Sequence, residues 1–388
     1  MKILQIIITI ITVIIFLQSC TETVSPPDSM RLDLVITVID TSAFTQTLTD
    51  STLVDSAQVF VNSLSYGHYF FKLTDTLGQA VFHQVLPDVY SISVTKRLSA
   101  AEVEQVVGSP NERALNGQLQ GLEVSGVVFD TVVYVTPVAL GELLISEIYY
   151  NGSPADPIPY YFHDQFLELY NNSQSTIYLD SLIIADVSYG HTDEDVIHAI
   201  HAYMFPGSGS DYPLEPGEFA VVAQDAIDHS SVNLSSIDLS GADFEYYVKD
   251  KGDVDIQEVP NMIMLNHKYG IDFLYSVFND ALVILRVDDP YEYGYDNFDE
   301  LLLPKSAILD GVDYRDNLIE LDHKRLDIII DAGLTGGFDA YSRKSVERRI
   351  DFFREGLPVL MDNNNSSIDF QVLNSPTPGY LSAADSLP

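Results

Sequence analysis

The stretch LDLVITVID, Leu32–Asp40, sets apolar side chains at 32, 34, 36 and 38. Successive side chains of an extended chain point to opposite sides, so period two predicts a strand with one buried face. Runs of the same kind follow at Ala57–Asn62, Gln79–Phe82, Val89–Val94 and Asp130–Val135, divided by turn-forming stretches such as Asp75–Gly78 and Pro87-Asp88. One helix is expected among them, because Ser99 and Glu102 have capping-box spacing and Gly108 suits a stop. Short strands at this density between residues 31 and 138 predict a β-sandwich.

Upstream of this region stands the one cysteine of the 388-residue chain, Cys20. Lys2 precedes an apolar run, Ile3–Leu17, and Gln18 and Ser19 lead into the cysteine, which is the order of a secretory signal. As helix the run spans roughly 22 Å, short of the roughly 30 Å hydrocarbon core of a bilayer. Cleavage is therefore expected, with residues 1–19 as signal peptide. The tetrapeptide LQSC, Leu17–Cys20, resembles the lipobox of bacterial lipoproteins. That resemblance implies a diacylglycerol on Cys20, an acylated new amino end and stable anchoring in outer-membrane lipid. The plainer reading is a leftover thiol behind an ordinary signal. Residues 20–30 contain Pro26 and Pro27 and suit an extended tether.

A formal charge of −38 excludes nucleic acid as a partner, since phosphate binding needs clustered Lys and Arg. At 46% hydrophobic the acidic chain has enough apolar content for ordinary cores, and with no second cysteine it builds them without disulfides.

The segment TDTLGQAVFHQVLPDVYSISV, Thr74–Val94, resembles the transthyretin-like or carboxypeptidase-regulatory Ig-like domain. That family implies a spacer or recognition module without catalytic residues over 31–138. Beyond Pro137, GELLISEIYYNGS (141–153), QFLELYNNSQSTIYLDSLIIAD (165–186), LEPGEFAVVAQD (214–225), LDGVDY (309–314), SRKSVERR (342–349) and NSPTPGY (374–380) follow in the order of a lamin-tail-like domain. The resemblance implies an elaborated Ig-like sandwich with long inserts over 139–381, and a short tail at 382–388. Three stretches, FPGSGSDYPLEPGEFAVVAQDAIDH, IDLSGADFEYY and DNNNSSIDFQVLNSPTPGY, together with the lipobox, are similar to an uncharacterised family of Bacteroidota outer-membrane lipoproteins. Its members imply a role near TonB-dependent receptors, in surface capture or assembly.

Candidate chemistry lies in two places. His191, His198 and His201 flank the acidic TDEDV, and imidazole with carboxylate suits zinc or another transition metal. On a helix His198 and His201 would share a face, whereas on the strand expected before Pro206-Gly207 they point apart. The run DDPYEYGYDNFDE carries Asp288, Asp289, Glu292, Asp296, Asp299 and Glu300, enough oxygens for calcium, but without EF-hand order. Its Tyr291, Tyr293, Tyr295 and Phe298 make the same loop a candidate binding surface. GSGSD (207–211) lacks the Lys of a phosphate loop, and SVTK (93–96) falls on a strand, where its ends cannot meet as on a helix. SRKSVERR reads as framework whose cations pair with carboxylates of the chain itself.

The sequence thus predicts an all-β, lipid-anchored outer-membrane protein exposed at the cell surface, with a periplasm-facing anchor as the other arrangement. It is expected to be a non-catalytic binding or accessory component, with a TonB-dependent receptor or another surface protein as partner. Calcium-dependent adhesion or glycan binding is the second reading, and a carboxylate-dependent hydrolase the third.

Overall fold

The computed structural model describes residues 31–382 apart from 43, 64–67, 107–111, 140, 192–193, 319–322 and 329. The signal peptide, Cys20 and the tether, with Gly108, Asp193 and residues 383–388, lie outside the described residues. The protein is mostly β, 44% strand and 7% helix, in several sheets.

Strand β1 (Leu32–Asp40) alternates as its sequence requires, with Leu32, Leu34, Ile36 and Val38 buried and the residues between them half-buried. It is joined by β2 (Gln58–Ser63), β3 (Tyr69–Leu73), β4 (Gln79–Val85), β5 (Asp88–Arg97), β6 (Glu112–Val124) and β7 (Val128–Ala139). The order is β3-β2-β5-β6-β7-β1-β4, with β1 parallel to β7 and antiparallel to β4. The two ends of this sheet approach each other: Lys72 Nζ on β3 donates to the Val81 carbonyl on β4 at 2.5 Å, and the Phe70 and Phe82 rings are 6.2 Å apart. The sheet is therefore nearly barrel-shaped, closed around Leu34, Ile36, Val59, Val61, Ile92, Val94, Leu115 and Val133.

The expected helix forms at Ala100–Val106, and its capping box is reciprocal. Ser99 N donates to Glu102 Oε2 at 2.7 Å, and Glu102 N donates to Ser99 Oγ at 3.3 Å. A second helix, Phe44–Thr49, was not expected; buried Asp40 starts it by accepting from Ser42 N at 2.8 Å and Thr45 N at 2.6 Å. Strand β6 also escapes the sequence reading, because Gly117 and Gly121 interrupt its alternation. Gly117 is needed there, since a Cβ would collide with the Tyr134 carbonyl of β7.

The strands from Leu143 onward pair only with one another, as do those up to Ala139. In chain order they begin with β8 (Leu143–Tyr149), β9 (Phe166–Asn171), β10 (Ile177–Tyr178), β11 (Ile183–Val187), β12 (Val196–Met204) and β13 (Pro213–Leu214). Then come β14 (Phe219–Ala223), β15 (Phe244–Glu245), β16 (Ile263–His267), β17 (Asn279–Leu285), β18 (Leu301–Pro304) and β19 (Ile308–Arg315). The last are β20 (Thr335–Gly336), β21 (Ser345–Arg348), β22 (Ile350–Arg354), β23 (Leu357–Leu360) and β24 (Phe370–Leu373).

One sheet runs β15-β14-β9-β8-β21-β24 and another β16-β12-β11-β17-β19-β20, with β18 added beside β12. They share a core to which the first contributes Ile145, Ile148, Leu167, Leu169 and Val222, and the second Ile184, Tyr203, Leu282, Ile284 and Val312. Each such side chain removed from water contributes about 1.5–3 kcal/mol. An ion pair between Arg97 on β5 and Asp351 on β22 joins the first sheet to the later strands. Among the described residues no helix is long and apolar enough to cross a membrane.

Candidate functional site

Strand β18 pairs antiparallel with β12, in the register His198↔Leu302 and Ala199↔Leu301. The acidic run that ends at Glu300 is thereby carried to the edge where the histidines begin. Two stretches about a hundred residues apart become one site.

His198 Nδ1 lies 2.9 Å from Asp296 Oδ2, and its Nε2 lies 2.9 Å from Glu194 Oε2. His191 Nδ1 meets the other oxygen of Glu194 at 2.8 Å. The two imidazole rings stack with centroids 3.6 Å apart, so one carboxylate spans a pair of rings. Burial of His198 alone would lower its pKa, but the hydrogen bonds to Glu194 and Asp296 outweigh it and the net shift is upward. Glu194 is held below the usual carboxylate range by His191 and then His198. Asp296 also shapes its own loop, its Oδ1 accepting from Phe298 N at 2.7 Å and Glu300 N at 2.9 Å. Buried Glu300 accepts from Lys268 Nζ at 2.8 Å. Ligand atoms of His191, His198 and Glu300 all fall within 4.8 Å of one another, a spacing from which, among the described residues, a metal ion could be held.

His201 does not join them. On a strand a separation of three reverses the side, as the sequence reading required. His201 Nδ1 instead meets Asp186 Oδ2 at 2.8 Å, and its ring packs 5.0 Å from Phe273.

Of the calcium candidates, Asp288, Asp289, Glu292 and Asp299 are exposed, and none belongs to the cluster of ligand atoms. Asp289 spends one oxygen on a turn, accepting from Tyr291 N at 2.9 Å. The loop's aromatics face solvent: Tyr291, Tyr293 and Tyr295 are about half exposed and Phe298 is 68% exposed. The Tyr291 and Tyr295 rings are 6.4 Å apart and tilted by 31°. Lys268 lies over the rings of both Phe298 and Tyr269, extending this aromatic face across the edge.

The glycine-rich GSGSD loop does gather backbone N–H groups around an anion, but the anion is the chain's own. Asp180 accepts from Gly209 N at 2.8 Å, Asp211 N at 2.9 Å and Tyr212 N at 3.0 Å. Burial would raise this carboxyl, yet the N–H donors hold it at about 2. Replacing Asp180 with alanine is expected to cost about 1–3 kcal/mol through the orphaned donors, read as a lower urea midpoint with unchanged slope. An unchanged midpoint would mean that water satisfies the loop.

Sequence reasoning missed a row of buried carboxylates. Glu168, Glu147 and Glu347 sit on adjacent strands β9, β8 and β21, with Glu147 in register with both neighbours, and each is at most 2% exposed. A signal was present: LLISEIYY and FLELYN each carry one charged residue in an apolar strand. Such a residue is either exposed on an edge or buried with donors arranged for it.

Residues 215–377 match the family described as "Protein of unknown function (DUF4876)". The fold is similar to the crystal structure of a DUF4876 family protein from Bacteroides thetaiotaomicron, over 88% of this chain and 94% of that one, at 23% identity and a TM-score of 0.55. A streptococcal ancillary pilin is matched over 63% of this chain and 67% of its own, at 10% identity; its TM-score of 0.17 lends no weight to the likeness. No curated protein matches the chain.

Proposed function

We propose that the protein is a lipid-anchored lipoprotein of the outer membrane, facing the cell exterior, that acts as a non-catalytic binding or accessory component. In this reading acylated Cys20 holds the chain, residues 31–138 form an Ig-like spacer, and the lamin-tail-like part over 139–381 presents the ligand-facing edge. The partner is a TonB-dependent receptor or a comparable surface protein.

The observation that carries the reading is the aromatic loop Tyr291–Phe298. Four large aromatic side chains stand in water on one loop, while Asp296 and Glu300 pin that loop to His198 and Lys268. Aromatic side chains offer large contact area at low entropic cost, and a rigid support lowers the ordering penalty on binding. No nucleophile and base with a third orienting group are assembled there, so no reaction is assigned. A sugar is the second class of ligand that suits this face, because the Tyr291 and Tyr295 rings form a tilted pair on which a pyranose could stack.

The test is affinity recovery of tagged protein from gently solubilised outer membranes, beside the Cys20→Ala and Tyr291→Ala/Tyr295→Ala forms. Stoichiometric recovery of an outer-membrane receptor, lost in the tyrosine double variant, is expected. Equal recovery with that variant would remove the loop from the docking surface. Unchanged membrane association of Cys20→Ala would end the lipoprotein reading, and survival of the protein on intact cells treated with protease would turn the anchor toward the periplasm.

A further inference from the structure

We propose that His191, His198 and Glu300, flanked by Glu194, bind one divalent transition-metal ion of the zinc class. The inference goes beyond the binding role above, since it needs neither the lipid anchor nor the aromatic ligand.

The donor set comes first. Two imidazole nitrogens and a carboxylate oxygen lie within 4.8 Å of one another, and two histidines with one glutamate is a set that zinc accepts with a further position left open. Nitrogen donors select borderline ions over calcium and magnesium, which prefer oxygen throughout. Tetrahedral zinc holds its ligand atoms about 3.4 Å apart, so closure on the order of 1 Å is required. The half-exposed His191 has room to make that movement.

The hydrogen bonding points the same way. Contacts of 2.8 and 2.9 Å from two stacked rings converge on the two oxygens of Glu194. A metal ion taken up by the two imidazoles would take the place of the bridging protons, and Glu194, which stands outside the group of three ligand atoms, would flank the ion beside its open position. The far nitrogen of His198 is already fixed by Asp296 at 2.9 Å. A carboxylate behind the imidazole is the usual outer support of a metal-binding histidine, since it sets the tautomer and strengthens the donor.

Charge and rigidity complete the case. Glu194, Asp296 and Glu300 bring three carboxylates to the edge, where Lys268 pairs with Glu300, while Lys305 donates to the His191 carbonyl at 3.1 Å. His198 belongs to β12, which is paired with β11, β16 and β18, so its position is set by the sheet rather than by a loop.

The experiment is calorimetric titration of the full chain, purified in detergent and stripped with EDTA, with zinc, calcium and magnesium chlorides in turn. Zinc is expected to bind at one equivalent and raise the melting temperature, with no heat from the other two ions. His191→Ala is expected to weaken zinc binding ten- to a hundredfold. Glu194→Gln, an exposed substitution, should weaken it in the same direction and covers the case in which His191→Ala fails to fold. The proposal falls if zinc gives no saturable heat. It falls equally if zinc binds both variants as tightly as it binds the natural chain, because the ion then sits on other histidines.

Discussion

Replacing Arg348 with alanine is expected to destabilise the protein by about 3–5 kcal/mol, the cost of breaking a buried ion pair from one side. Arg348 is 2% exposed and spends its whole guanidinium on the fold. Nε donates to the Ile145 carbonyl at 3.0 Å, Nη1 to the Met361 carbonyl at 2.9 Å and Nη2 to Asp310 Oδ2 at 2.6 Å. Asp362 and Asp369 stand 3.6 and 3.7 Å away, and the guanidinium lies 4.7 Å from the centre of the Phe370 ring. One side chain thus ties β8, β19, β21 and the turn before β24 together. Burial already pushes Asp310 up to about 7 and Asp369 up to about 6, with Arg348 pulling both back down. Without it, three carboxyls share a dry space with no cation at its centre. Arg348→Lys keeps the charge but not the planar fork, so an intermediate loss is expected. Urea unfolding followed by far-ultraviolet circular dichroism measures both. An alanine variant within 1 kcal/mol of the natural chain would mean that this network is incidental to stability.

That residue also marks how far the sequence could be read. SRKSVERR stands out as the basic knot of an acidic chain, and pairing within the molecule follows from composition. Which carboxylates pair does not, because Asp310 is 38 residues away and is brought close by the packing of β19 against β8, where Ile145 N donates to Asp310 Oδ2 at 2.8 Å, rather than by any local pattern. The same division holds elsewhere. The alternation of β1 and the capping box at Ser99–Glu102 are local, and both appear where the sequence put them. The opposite facing of His198 and His201 likewise needs only the period of a strand. The meeting of His198 with Asp296 depends on β18 pairing with β12, so the histidines and the acidic loop read as two separate candidates although they form one site. The helix at Phe44–Thr49 was hidden for a different reason: its start is set by Asp40, a residue that otherwise completes a strand.

The buried glutamate row gives the second large effect, a stability that falls as pH rises. Its donors come mostly from the chain's last stretch. Thr377 donates through N to Glu147 at 3.1 Å and through Oγ1 at 2.9 Å, while Gly379 N donates to Glu168 at 2.6 Å and Ser382 N to Glu347 at 2.6 Å. The stretch from Thr377 to Ser382 is therefore a strap laid over three carboxyls. Burial outweighs these donors and pushes Glu147 up to about 8. Burial, followed by the charge of Glu147, raises Glu168 well above the carboxylate range.

The folded chain consequently keeps protons that the unfolded chain releases near pH 4.5. Stability is unaffected below that value and declines above it, for Glu147 between about 4.5 and 8 by about 1.4 kcal/mol per pH unit, with Glu168 adding to the fall in the same direction. Asp180 acts oppositely, since its contribution is lost only as pH falls below about 4 toward 2. Maximum stability is thus expected between about pH 4 and 4.5. Glu147→Gln keeps the size of the side chain and cannot lose a proton, and its amide can donate to Glu168 or Glu347. The variant should melt within a few degrees of the natural chain at pH 5 and clearly above it at pH 8.5, with the pH slope reduced. Thermal melts at pH 5, 7 and 8.5 decide the matter: parallel slopes for the two proteins would mean that Glu147 is ionised in the fold and that the strap is held by charge. A reduced slope would identify Glu147 as a neutral carboxyl in the fold, from which the strap loosens as its proton leaves.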